Sequence, residues 1–142
     1  MNVSFTQLNR GWNAEPNAPE PSATWQGNDL VLRFGMNPYQ FPEYAADDIG
    51  QITFVDCSRY RFGMLNDEGW YLGQGRFTDV EHHWGEFYEL AGDLRLDQLP
   101  DDWQIRIPDP VIGRHYMFYF KDEDFECVAS DWRLEVIRAG SA

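Results

Sequence analysis

The chain is short of lysine, cysteine and long apolar runs, and each shortage excludes something. Lys121 is the only lysine among 142 residues, and ten arginines complete the basic set. Against these eleven basic residues stand 24 acids, giving a formal net charge of −13. A phosphate backbone is bound by Lys and Arg that displace condensed counterions, so nucleic acid is excluded as a partner. An anionic membrane surface is disfavoured for the same reason. No apolar run approaches the roughly 18 residues needed to cross a bilayer, so no membrane span is expected. Met1 to Arg10 lack a basic head followed by an apolar stretch, so no secretion signal is expected and a cytoplasmic setting is. The two cysteines, Cys57 and Cys127, then fall in a compartment where a structural disulfide is not expected.

What is present is aromatic. Phe, Trp and Tyr make up 16% of the chain, too much for a disordered segment even at this charge. The length suits a single domain spanning residues 1–142, with no linker and no repeat of fixed period.

The recurrent pattern has a period of two. Over Asp29 to Met36, the residues Leu30, Leu32, Phe34 and Met36 share one face, as in a half-buried strand. Gln51 to Cys57 repeats it with Ile52 and Phe54 inward, and Arg59 to Phe62 alternates again. His115 to Phe120 is too aromatic and too evenly alternating for a helix. Lys121 to Asp124 then suits a four-residue hairpin loop, setting Phe120 opposite Phe125 and Phe118 opposite Cys127. Trp132 to Val136 reads as a third strand, which makes a C-terminal meander. Trp84 to Leu90 gives a weaker strand, with Phe87 on one side and Trp84, Tyr88 and Leu90 on the other.

Pro16, Pro19 and Pro21 make Trp12 to Thr24 a loop, packed down by its tryptophan; Tyr39 and Phe41 imply the same for the loop that holds them. Pro42 to Ile49 and Leu96 to Trp103 suit a helical turn or two. The expected fold is mainly β: a single-domain antiparallel sandwich or partly open barrel of about seven to nine strands, with the C-terminal meander and one or two short helices.

Chemistry is sparse. Cys127 lies on the apolar face of the hairpin, where a thiol packs as a small hydrophobe; a redox pair with Cys57 is the alternative. His82 and His83 lack the spacing of a metal site and read as a surface loop. Asn66, Asp67 and Glu68 stand in a glycine-punctuated loop, as turn formers or as ligand-orienting groups. Arg59, Arg61, Arg114 and Arg133 fall on strands and either pair internally with acids or line a cleft for a carboxylate. His115 points away from the inward Tyr116, towards a possible cleft. No nucleophile elbow accompanies it, so no catalytic residue, cofactor or metal is expected.

The block Cys57-Ser58-Arg59-Tyr60-Arg61-Phe62-Gly63 followed by Asn66-Asp67-Glu68-Gly69 resembles a pattern in an uncharacterised family of small bacterial proteins. So does Arg114 to Phe120 followed by Asp122 and Phe125-Glu126-Cys127. The resemblance implies a bacterial, intracellular setting and adds weight to Asn66, Asp67, Glu68, Arg114, His115 and Cys127. It implies no activity.

Two functions fit. One is a non-catalytic acidic protein that binds a basic protein partner, as an immunity protein or a nucleic-acid-mimicking inhibitor does. The other is a small-molecule binding module or modest enzyme, its site formed by Asn66 to Glu68 with Arg114 and His115.

Overall fold

The computed structural model describes residues 3–64, 77, 82–92, 103–108 and 113–140. Ten strands are defined among them: β1 (Val3–Gln7), β2 (Ser22–Gln26), β3 (Asp29–Gly35), β4 (Ile49–Val55), β5 (Arg59–Gly63), β6 (Phe87–Gly92), β7 (Gln104–Ile105), β8 (Arg114–Tyr119), β9 (Asp124–Ala129) and β10 (Asp131–Ile137). They form two antiparallel sheets, ordered β1-β6-β8-β9-β5-β7 and β10-β4-β3-β2. The sheets do not close into a barrel, so the fold is a sandwich.

The alternation expected of Asp29 to Met36 and of Gln51 to Cys57 holds. Leu30, Leu32, Phe34, Met36, Ile52 and Phe54 are all buried in the core between the sheets. From the other sheet, Tyr116, Phe118, Phe125 and Cys127 meet them. Phe54 packs on Tyr116, Phe125 and Phe87 at ring separations of 5.3, 5.6 and 5.9 Å. Phe34 meets Phe118 edge to face at 5.1 Å. Such contacts add to the area they remove from water.

The C-terminal hairpin forms with a different register and a different exit. Phe118 pairs with Phe125 and Tyr116 with Cys127, two residues from the expected alignment, because Phe120 N–H already donates to Glu123 O at 2.9 Å. A slip of two leaves every side chain on its face, so the aromatic face survives. The third strand does not extend the ribbon. After the turn at Ser130, β10 pairs with β4 in the other sheet, and Trp132, Leu134 and Val136 reach the same core from the opposite side. What reads as a meander is a corner between the two sheets.

No helix is present among the described residues, where short ones were expected. Phe41 to Asp48 form successive turns, with Tyr44 N–H donating to Phe41 O and Asp48 N–H to Ala45 O, both at 3.1 Å. The Asp48 carboxylate takes the Ala45 N–H at 2.9 Å, a side-chain bond that competes with helix propagation. Leu96 to Trp103 lies almost wholly outside the described residues.

The proline-rich loop is packed down, as its tryptophan implied. Trp12 is buried among Phe34, Phe87 and Phe118. Glu15 N–H donates to Gly35 O and Gly35 N–H to Pro19 O, both at 2.8 Å, which ties the loop to the end of β3. The loop is shorter than expected, since Ser22 to Thr24 already belong to β2. Tyr39, by contrast, is 73% exposed.

Candidate functional site

Of the five residues expected to form a site, the described structure places two, Arg114 and His115. Asn66, Asp67 and Glu68 lie outside the described residues. Arg114 and His115 are neighbours on β8, so their side chains leave opposite faces. Arg114 lies at the exposed edge, paired with Glu89 and, at 3.4 Å, with Asp131. The Glu89 carboxylate is the main reason its guanidinium pKa is raised. His115 is buried on the outer face of the six-stranded sheet, where its Nε2 hydrogen-bonds the Glu126 carboxylate.

That outer face holds charge where a sandwich commonly meets water. Arg61 Nη1 lies 3.5 Å from Glu126 and 3.7 Å from Asp124, and all three are buried with His115. The register explains the cluster: β5 sets Arg61 opposite Glu126 and Gly63 opposite Asp124. A Cβ on Gly63 would stand 2.2 Å from Asp124 Oδ1 and 2.8 Å from Arg61 Nη2, so glycine makes room for the ion pairs. Beside the charges, Tyr88, Leu90, Met117, Tyr119 and Phe77 form a second apolar cluster. His82, expected in a surface loop, is buried there, stacked on Phe5 at 4.1 Å and hydrogen-bonded to the Tyr119 hydroxyl at 2.8 Å. His83 is exposed. No group of three or more His, Cys, Asp or Glu able to hold a metal occurs among the described residues.

Cys57 and Cys127 are both buried and free, and the Cys57 thiol donates to Arg59 O at 3.4 Å. Complete burial pushes the Cys127 thiol well up, while the neighbouring Cys127 thiol lowers Cys57. Their place in the main core matches the packing role expected of Cys127.

An open cleft lies elsewhere, at the end of the sandwich where the Trp12 loop meets the start of β6. It encloses about 270 Å³ between Asn13, Glu15, Trp84, Glu86, Tyr119 and Lys121. Glu86 organises its floor. Its carboxylate accepts from Gln7 Nε2 at 3.0 Å, from Asn13 Nδ2 at 3.3 Å and from Asn9 Nδ2. Asn9 in turn accepts the Phe87 N–H at 3.0 Å and donates to Trp12 O at 2.9 Å, which locks floor to loop. Asn13 also donates to Gln40 Oε1 at 3.0 Å. Its own Oδ1 is buried and meets no donor among the described residues. A second, more open depression of about 760 Å³ adjoins on the other side of Glu15, bordered by Glu20, Asp47 and Arg33.

None of Asn9, Asn13 or Glu86 stands out in the sequence. The one available signal was the pair of asparagines flanking a buried tryptophan, Asn9 and Asn13 around Trp12.

A scan of protein-family models, a search of curated proteins and a search of solved structures each gave no match to this chain. Among the described residues no helix is long and apolar enough to cross a membrane.

Proposed function

We propose that this is a non-catalytic binding protein that receives a basic protein partner at the carboxylate-bordered end of the sandwich. The observation that carries the reading is where the acids gather. Glu15, Glu20, Asp47 and Glu86 border two depressions that share Glu15, while Arg33 and Lys121 are the basic residues beside them. Arg33 is already engaged with Gln51 at 2.7 Å. The outer face of the four-stranded sheet is biased less, since Arg33 and Arg133 stand there among Asp29, Asp131 and Glu135. A net charge of −13 supplies long-range attraction for a cationic partner, and the local excess sets where it docks.

The reading also follows from what the buried charges are placed to do. His115 and Glu126 are 4% and 0% exposed in their side chains. Groups so enclosed hold the sheet's outer layer together.

The test is a paired charge reversal with equal change in net charge. Binding of an oligo-arginine peptide is measured for Glu20→Lys/Asp47→Lys and for Asp131→Lys/Glu135→Lys. The first variant should lose most of the affinity, the second little, and wild-type binding should weaken steeply between about 0.05 M and 0.5 M salt. Equal losses in both variants would mean that only total charge matters and would remove the docking end.

A further inference from the structure

The four-stranded sheet ends on β10, and among the described residues no strand lies along its free edge. An edge strand presents a row of N–H and C=O groups that another strand can take up. Which groups these are follows from the start of β10. Ser130 N–H donates to Val55 O at 2.9 Å while Asp131 pairs with the same Val55, so two residues oppose one, as in a β-bulge. The next N–H, of Trp132, donates to the Asp131 carboxylate at 2.8 Å and so points away from β4. Backbone groups alternate between the two sides of a strand. Trp132, Leu134 and Val136 therefore turn theirs to the open edge, while Asp131, Arg133, Glu135 and Ile137 serve the ladder with β4.

A second β10, antiparallel to the first, can meet these groups in three central registers, and charge separates them. Centred on Arg133, the pairing sets Arg133 of one copy against Arg133 of the other. Centred on Glu135, it sets Glu135 against Glu135. Centred on Leu134, it sets each Arg133 opposite the other copy's Glu135, at the closer, non-hydrogen-bonded sites of the ladder. These two side chains are 58% and 60% exposed and paired only loosely within the chain, at 3.9 Å, so both can take a cross-strand partner. On the inner face the same register sets Leu134 against Leu134 and Trp132 against Val136, all partly buried in the single chain. Every outward backbone group then finds a partner, in about six hydrogen bonds. The incoming strand takes over the Trp132 N–H from Asp131.

We propose that β10 is a self-recognition edge, through which two copies of this chain pair antiparallel, centred on Leu134, and join their four-stranded sheets into one. A second copy is the occupant because the outer charges of β10 complement themselves when the strand is reversed. The charge of −13 on each copy opposes the encounter, so the association is weak and needs salt to screen it. Docking of a basic protein neither requires this pairing nor supports it.

The test is sedimentation velocity of the full chain in about 0.15 M salt, over about 5 to 500 µM. The 16.6 kDa species should give way to one of twice its mass as concentration rises. Glu135→Arg and Arg133→Glu should each raise the dissociation constant about tenfold, since each sets like charges across the ladder twice. The swap Arg133→Glu/Glu135→Arg, with net charge unchanged, should restore self-association. The two single variants, mixed, should pair with each other more tightly than either does with itself. Amide exchange at Leu134 should slow with concentration in the wild type. A chain that stays monomeric throughout would overturn the proposal, and so would self-association indifferent to the single variants. Loss in the single variants without recovery in the swap or the mixture would overturn the Leu134-centred register. The oligo-arginine measurement is made below the dimer range, so either reading can fail alone.

Discussion

The two sheets differ in how many faces they bury, and the difference is clearest between β10 and β9. On β10 burial alternates strictly, with Trp132, Leu134 and Val136 partly buried and Asp131, Arg133, Glu135 and Ile137 exposed. On β9, in the six-stranded sheet, all six residues are buried. The outer face of the four-stranded sheet is wet apart from Val31 and Thr53 at its middle, and its charges pair loosely, as Arg133 and Glu135 do at 3.9 Å. The middle of the six-stranded sheet, β8 and β9, is covered on both sides, and its outer charges must find each other. Arg61, His115, Asp124 and Glu126 do so. The same residue types thus carry different energetic weight according to the layer they occupy.

The sharpest way to break this comparison is to remove one carboxylate from each sheet. Glu126→Ala strands Arg61 and His115 without their shared carboxylate, and should cost about 3–5 kcal/mol. Glu135→Ala should stay within about 0.5 kcal/mol of wild type. Urea unfolding of both measures the gap, and similar losses would mean the buried cluster is no more consequential than a surface pair.

Next in size are the glycines that the two layers require. A Cβ on Gly50 would stand 2.6 Å from the Phe34 ring and 2.7 Å from Met36 Sδ, in the core between the sheets. Gly50→Ala should therefore cost about 1–3 kcal/mol, as overpacking does. Gly63→Ala tests the outer layer in the same way, and its loss should shrink in a Glu126→Ala/Asp124→Ala background where the ion pairs are already gone. Undiminished loss there would separate Gly63 from the charges.

A smaller effect is expected in acid. Asp48 has its pKa held below the ordinary aspartate value, first by the Ala139 N–H, then by the Ala45 N–H, and further by Arg138. Its folded pKa lies below its unfolded one, so its stabilisation is complete above the unfolded value and disappears as pH falls through the folded one. It joins the turn before β4 to the chain after β10. Asp48→Asn should therefore lower stability at neutral pH, and the difference from wild type should vanish at the acid end. A constant difference down to that end would refute the linkage.

The smallest change is expected at Tyr116. Its hydroxyl is buried without a partner among the described residues, and burial raises its pKa. Tyr116→Phe should leave stability unchanged or slightly higher, because no hydrogen bond is lost. A loss of more than about 1 kcal/mol would reveal a partner for that oxygen.

Much of this architecture was legible where one face is wet or one face is uniformly apolar. Leu30 to Met36 and Tyr116 to Phe120 announced their inward faces without ambiguity. The hidden part lay where both faces are covered. Arg61 was expected to pair with acids or line a cleft, and it pairs with Glu126 and Asp124, but which acids, and that water is shut out, was not legible, because a charge looks the same in sequence whether water or a carboxylate awaits it. His82 looked like loop surface for the same reason. The edge strands β1 and β7 went unseen because short edge segments carry little periodic signal.

The amino-acid order by itself determined that the chain forms β-strands, which side chains face the aromatic core, and that the chain carries a net charge of −13. These are properties of local period and summed charge. The tertiary structure decided the rest: that β10 leaves its hairpin for the other sheet, that four charged or titratable groups are enclosed together, and that Asn9 and Asn13 converge on the Glu86 carboxylate. Such outcomes depend on residues far apart in the chain meeting at a few ångströms, and the alternation within any one strand does not encode which distant strand will be its neighbour.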